Sequence, residues 1–557
     1  MKSFHYSAPL VLAALIGSIL SSSQTAHAAD YVWTGTTLSN SRDWFSAKNW
    51  KKVRTTSLRV GVSSLLSAET SVNTVETATT APGAGDTATI TNGAIVAIEQ
   101  PVTLAALTVE ENSTLRGSGD ITVTSSLTLQ DARLAGEGDI NIPEDATATL
   151  SSEEVGSQTG NTINKEIENS GVINWTSGDL TLQKDLNNSG EFNVQSNDDI
   201  KASGVAIATF YNQGTLITTP EAGEANIEIP FKNSGDIYLR GGNLEVGPQY
   251  VQSDGSLNLD GGNLTSAGTL QISGGEVKGS GMLGCNVVQS GGTFKPGHSP
   301  GTITINGNYT QSSTAFLDME IGGYAPGSGH DQMIIWGTAD LNGTLDILKY
   351  NSFLPEDGCN IELLRYMNVD TAFKTVTGRF PGGSVYYIIA KTSTSFFACG
   401  VEDITDPTVQ ITSPVHNSTY QGVASVKGTC VDPGSYPYTP SGIKSVTVRL
   451  YRYANGSTPA GFWLGGTSWS TTASQSNERV PSGVANWTLT LPTLPPNKYN
   501  VRATATDNVG NVLQTSNVVW TISASSGTFV KAPEPRKAKH ALIAYDPTPK
   551  FTVSGRL

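Results

Sequence analysis

Between about Gly85 and Gly284 the sequence repeats a short unit marked by a recurring corner. The corners read Asn169-Ser170-Gly171, Asn188-Ser189-Gly190, Asn212-Gln213-Gly214 and Asn233-Ser234-Gly235. Their spacings are 19, 24 and 21 residues, and Ser253-Asp254-Gly255 follows 20 after the last. Between corners, apolar residues alternate with polar ones, as in Leu127-Thr128-Leu129, Ile140-Asn141-Ile142, Ile237-Tyr238-Leu239, Leu257-Asn258-Leu259 and Leu270-Gln271-Ile272. Period-two alternation marks strands with one buried face. Asn and Gly at the corners suit the left-handed backbone of a tight turn. A unit near 20 residues cannot bury its inward face alone, so the units must stack as the coils of a parallel β-helix. Roughly nine or ten coils at about 4.8 Å would make a rod of about 45 Å. A β-sandwich built of hairpins, the competing arrangement, would bring its turns closer together in sequence.

Stacked coils leave a bare strand edge at each end, which invites pairing with other chains and needs a cover. Trp33-Thr34-Gly35, Asp43-Trp44 and Asn49-Trp50 place three tryptophans just ahead of the repeats. They read as an apolar lid, with Trp44 and Trp50 as candidate sugar platforms if exposed. Residues 51–84, rich in Thr, Ser and Ala, read as a mobile insertion between this cap and the repeats. Long Ala/Leu/Glu/Lys stretches are missing, which argues against helical bundles. Hydrophobic content of 37% is enough for a core. The chain carries 34 Lys and Arg against 48 Asp and Glu, a formal charge of −14. That balance speaks against a nucleic-acid partner, because counterion release needs cations.

The start has the form of an export signal. Lys2 precedes an apolar run from Ala8 to Leu20, then a polar stretch and Ala26-His27-Ala28, an A-x-A cleavage pattern. The run is too short to span a bilayer, which takes about 20 helical residues. Residues 1–28 are therefore expected to be removed, leaving a mature chain from Ala29 with no transmembrane segment, secreted or held at the cell surface. Export makes disulfides feasible. Among Cys285, Cys359, Cys399 and Cys430, the pair Cys359 and Cys399 sits at two strand ends of one small module and is the expected bridge. Cys285 and Cys430 fall in different modules and are expected to be free. No cysteine lies in a C-x-x-C pair or near a His, which argues against zinc.

The run W-T-G (33–35), D-W (43–44), N-W (49–50) and G-D-T-A-T-I (85–90) resembles the start of bacterial secreted β-helix proteins. Lys295-Pro296-Gly297-His298-Ser299-Pro300-Gly301, then Gly307-Asn308-Tyr309-Thr310-Gln311 and Asp331-Gln332…Gly337-Thr338-Ala339, is similar to the module that follows such repeats in autotransporter-type adhesins. The resemblance covers about 29–400 and is specific for the module, not for any activity. It implies the passenger architecture without self-secretion, since a terminal membrane barrel of many strands has no room after residue 400. From Ile404 the order D-x-T…S-P…S-G-I…W…Y-x-V-x-A-x-A-x-D…G-N, with about seven alternating strands, resembles the immunoglobulin-like modules of bacterial extracellular proteins. Such modules usually space, present or attach. The tail after 524 carries a charge of +4 with Pro533, Pro535, Pro547 and Pro549, and reads as an extended solvated end.

Little chemistry is visible. Gly297-His298-Ser299-Pro300-Gly301 matches G-x-S-x-G, but the residue after Ser must lend an N–H to an oxyanion hole and Pro has none. The four His of the mature chain, His298, His330, His416 and His540, have no partner at metal-ligand spacing. Gly322-Gly323 to Gly329 is Gly-rich but lacks the Lys and helix of a phosphate loop. A polysaccharide lyase, the main catalytic alternative on a β-helix, needs clustered cations. Arg116, Arg133, Lys165, Lys184, Lys201, Lys232, Arg240 and Lys278 are dispersed, and Asp198-Asp199 near Lys201 reads as a loop. Asp318 and Glu320 would share one strand face as solvent-facing carboxylates. Calcium is a candidate at Asp507-Asn508…Asn511, where the same residues also suit an ordinary turn. No other cofactor is expected.

The expected fold class is all-β. A right-handed parallel β-helix at 85–284 lies between the cap at 29–84 and a capping β module at 285–402. An Ig-like β-sandwich follows at 403–524, then the tail at 525–557. The expected role is a non-catalytic structural or adhesion protein contacting cell-surface or matrix components. A carbohydrate-binding or carbohydrate-cleaving protein is the alternative, with Trp463 and Trp469 joining Trp44 and Trp50 as candidate glycan platforms.

Overall fold

The structure is a computed structural model that describes residues 28–35, 42–59, 69–153, 160–204, 208–219, 223–433, 440–474 and 477–524. The expected export signal, apart from Ala28, and the basic tail lie outside the described residues. The chain divides into two compact units, Met1–Glu402 and Asp403–Leu557. Among the described residues both are built from strands, with one 3₁₀ turn at Ala47–Asn49.

The first unit is a parallel β-solenoid of about 10 turns. Each coil lends strands to parallel ladders that run from coil to coil. One ladder passes through Thr87–Ile90, Val102–Val109, Ile121–Gln130, Thr147–Ser151, Val172–Trp175 and Glu191–Val194. Another passes through Ile140–Ile142, Ile167–Asn169, Leu186–Asn188, Phe210–Asn212 and Phe231–Asn233. In-register stacking sets Phe210 on Phe231, and rings from neighbouring strands extend the pair. Phe192, Phe210, Phe231 and Tyr250 form a continuous internal file with ring centroids 5.1, 4.9 and 5.3 Å apart.

The corners work differently from the turn chemistry their composition suggests. Asn169, Asn188, Asn212 and Asn233 are fully buried, and their backbone is not left-handed. Each side-chain amide donates to the oxygen of the next: Asn169 to Asn188 at 2.6 Å, Asn188 to Asn212 at 2.7 Å, Asn212 to Asn233 at 2.6 Å, and Asn233 to Gln252 at 2.7 Å. An amide carries both donor and acceptor, so an Asn column satisfies itself inside an apolar core. The corner glycines are required by contact rather than by φ. A Cβ on Gly190, Gly214 or Gly235 would lie 2.1, 2.1 or 2.0 Å from the carbonyl oxygen of the corner glycine one coil earlier.

Both ends switch to antiparallel pairing. At the start, β1 (Asp30–Trp33) joins the first coil in parallel and pairs antiparallel with β2 (Trp50–Arg59), which pairs with β3 (Glu69–Thr77) over its length. The stretch expected to be a mobile insertion therefore contains a hairpin ribbon. Thr and β-branched residues favour extended backbone without the hydrophobicity that marks a core strand. At the other end Asn360–Val369 pairs antiparallel with Ser395–Glu402, which pairs with Val385–Lys391. The expected boundary at residue 285 has no counterpart, because one strand, Glu276–Gln289, crosses it and the parallel ladders continue to Thr375–Thr377.

In the second unit, Thr408–Ser413, Ser425–Val431 and Asn486–Thr490 form one antiparallel sheet. Ile443–Arg452, Asn497–Asp507 and Val518–Ile522 are the main strands of another. Val409, Val426 and Trp487 from the first and Val448, Tyr499, Val501 and Trp520 from the second share one core.

Candidate functional site

The solenoid carries a cleft of about 340 Å³ on the outer face of one ladder. Its floor comes from three successive coils. Lys278 pairs in register with Lys295, and Phe294 pairs with Leu317. One residue further along, Lys295 and Asp318 therefore fall in one outward row, with Asp346 after them. Glu276 bridges both ammonium groups, at 3.3 Å from Lys278 and 2.5 Å from Lys295, and the lysines hold its carboxyl below its ordinary range. Burial raises Asp318, an effect only partly offset by Lys295.

One wall is the loop Pro296-Gly297-His298-Ser299. Gly297 and Gly279 exchange backbone hydrogen bonds at 2.6 and 3.2 Å, and Ser299 takes a left-handed φ of 70°. The loop is held by Asp331, 30 residues on and one coil away. One Asp331 oxygen accepts the Gly301 N–H at 2.8 Å and the other accepts the Glu320 N–H at 2.7 Å. Burial pushes the Asp331 carboxyl up to about 7. The Ser-Pro-Gly and Asp-Gln segments, far apart in sequence, are thus two halves of one brace. The strand Thr302–Ile305 follows directly, so the G-x-S-x-G match is a turn into a strand.

The other sequence candidates fall elsewhere. Trp44 and Trp50 are completely buried and interlock edge-on with centroids 4.7 Å apart, while Trp33 meets Trp50 at 4.9 Å. They form a lid and offer no ring to a sugar. Trp463 is also buried, its indole N–H donating to the Gly466 carbonyl at 2.9 Å. Trp469 keeps partial exposure, but the Arg452 guanidinium lies 4.3 Å from its ring centroid and occupies one face. The four expected platforms therefore do not form one.

The Cys359–Cys399 bridge is absent, and both are free thiols. Cys399 pairs with Asn360, and Gly400 exchanges backbone bonds with the residues around Cys359. The thiols are offset by one residue across the pair, and a one-residue offset points side chains to opposite faces of a sheet.

The cations weighed for a lyase do not converge. Lys165 is fully buried, its ammonium donating to the carbonyls of Gly117, Gly119 and Gly138 at 3.0 to 3.1 Å. Lys201 is paired with Asp179 and Lys184 with Glu137. Asp198 caps the Gly178 amide. In the Gly-rich loop, Gly322 and Gly329 donate to Gly329 and Ala325, so these amides are spent internally.

In the second unit Asp403, Asp432 and Asp507 are buried, with carboxylate oxygens within 4.8 Å of one another. Asp507 accepts the N–H groups of Val509, Gly510 and Asn511 at 2.6 to 3.1 Å. Asp403 accepts from Thr405 and Ser441, and Asp432 from Ser441 and Gly442. The turn weighed at Asp507 is present, and the same carboxylate also belongs to an acidic cluster that the sequence reading did not include. Hard carboxylate oxygens are the donor type that calcium takes. Asp403 and Asp432, 104 and 75 residues before Asp507, carry no local signal linking them to it.

No protein-family model matches the chain, and no curated protein is similar enough to count as a relative.

Proposed function

We propose that this is an exported, non-catalytic structural or adhesion protein, secreted or held at the cell surface. A rigid right-handed β-helix presents polar faces to envelope or matrix components, an autotransporter-type segment closes the coil, and an Ig-like module spaces or attaches it. The observation that carries the reading is the use made of Asp331. A catalytic acid with a pKa near neutrality needs a free oxygen aimed at substrate. Both oxygens of Asp331 instead hold backbone amides of neighbouring coils. The buried asparagines are likewise used for support, since Asn169, Asn188, Asn212 and Asn233 spend their amides along one column.

The test has two parts. Protease shaving of intact cells producing the full chain should remove it from the surface, and the purified mature chain should release no reducing ends or unsaturated products from a polysaccharide panel. Turnover of any polysaccharide would establish the alternative, a carbohydrate-cleaving enzyme. Retention inside the cell would refute the adhesive role.

A further inference from the structure

We propose that the cleft over Lys278, Lys295 and Asp318 binds a neutral sugar ring. This deepens the envelope-contact reading and rests on it only for the source of the sugar.

Three features select that chemistry. The floor presents two ammonium donors beside the carboxylate acceptors Asp318 and Glu320. A hydroxyl both donates and accepts, and vicinal hydroxyls can span groups on strands about 4.8 Å apart. Either kind of ion would meet like charge on this floor. A uronate or phosphate would face Asp318 and Glu320, and an amine would face the ammonium groups of Lys278 and Lys295. Pro296 and Leu348 supply apolar edges suited to the C–H face of a pyranose, and Leu348 is 36% exposed.

The volume, about 340 Å³, is at the low end for small-molecule pockets. The site is also stiff. The Asp331 brace and the reciprocal Gly279–Gly297 bonds fix its wall before any ligand arrives. Preformed walls reduce the ordering that binding requires. Burial of Asp318 leaves a carboxyl short of solvent, which a sugar hydroxyl would satisfy.

The experiment is saturation-transfer NMR on the intact mature chain. The probes are the methyl glycosides of glucose, galactose, mannose and N-acetylglucosamine, with glucuronate and glucosamine as charged probes. At least one neutral glycoside should show transfer with millimolar affinity. Asp318→Asn and Lys295→Met should each weaken it about tenfold, a loss of one or two hydrogen bonds to charged groups. Lys232→Met, on a different coil, should leave it unchanged. Melting curves matching the parent establish that the variants fold. No transfer from any neutral glycoside would overturn the proposal, as would preference for a charged probe or affinity indifferent to both cleft variants. Because these probes are free sugars, failure here leaves the envelope-contact reading to be judged by its own measurement.

Discussion

Replacing Asn212 with Val tests whether the buried Asn column holds the coils together. Asn212 is fully buried in the middle of the column, accepting from Asn188 at 2.7 Å and donating to Asn233 at 2.6 Å. Val has a similar shape, so little cavity forms and the effect is chiefly polar. The substitution deletes two buried hydrogen bonds, each worth about 1 kcal/mol net, and strands the Asn233 oxygen for a further ~1–3 kcal/mol. The expected loss is about 3–5 kcal/mol. Asn169→Val is the internal control. Asn169 begins the column against Ile142, its own oxygen has no partner, and only one column bond is lost. This variant strands the Asn188 oxygen but removes the unpartnered Asn169 oxygen, so these penalties offset and a loss of about 1 kcal/mol is expected. Urea unfolding followed by tryptophan emission reads both, because Trp175 is buried in these coils. A lower midpoint with unchanged slope would mean lost stability rather than altered compactness. A loss below about 1 kcal/mol for Asn212→Val, or equal losses for both variants, would refute the column as a stabilising element.

Four further outcomes follow from the same geometry. Gly235→Ala places a methyl 2.0 Å from the Gly214 carbonyl oxygen, so the coils must separate and the soluble yield should collapse, whereas Gly204→Ala, with open space around it, should fold despite its strained φ. The Asp331 carboxyl has a pKa of about 7 in the fold against 3.8 ordinarily, so the folded state keeps a proton that the unfolded chain has released. Its contribution to stability is present at low pH and lost as pH climbs from about 4 to about 7, and Asp331→Asn should flatten that part of the melting-temperature profile. Asp507→Ala removes the acceptor for three backbone amides and should lower the second unit's melting temperature by several degrees, with a loss of about 2–4 kcal/mol. Alkylation and peptide mapping of the exported chain should find Cys359 and Cys399 unlinked; a linked peptide would contradict their register.

What could be read from the sequence was whatever repeats at short range. Alternation in segments such as Leu257-Asn258-Leu259 reports an inward and an outward face directly, and the spacing near 20 reports the coil. The parallel solenoid was legible for that reason. The corner asparagines misled because a buried Asn and a turn Asn look identical until a second copy is stacked on it. Lys278, Lys295 and Asp318 were invisible as a group because they meet only through register across three coils, and no local pattern links them. Their signal was positional, each at the same offset within its strand. The hairpin β2–β3 was missed because its Thr-rich strands lack a hydrophobic face, and Trp463 because aromatic identity does not report which side of a strand is covered.

The central claim, contact without catalysis, is tested most directly by depletion. The purified mature chain is mixed with cell envelopes and insoluble polysaccharides, and the supernatant is assayed for remaining protein and for released sugar. The account predicts selective depletion by at least one surface with no sugar released. Protein left wholly in solution by every surface, or sugar released from any of them, would contradict it.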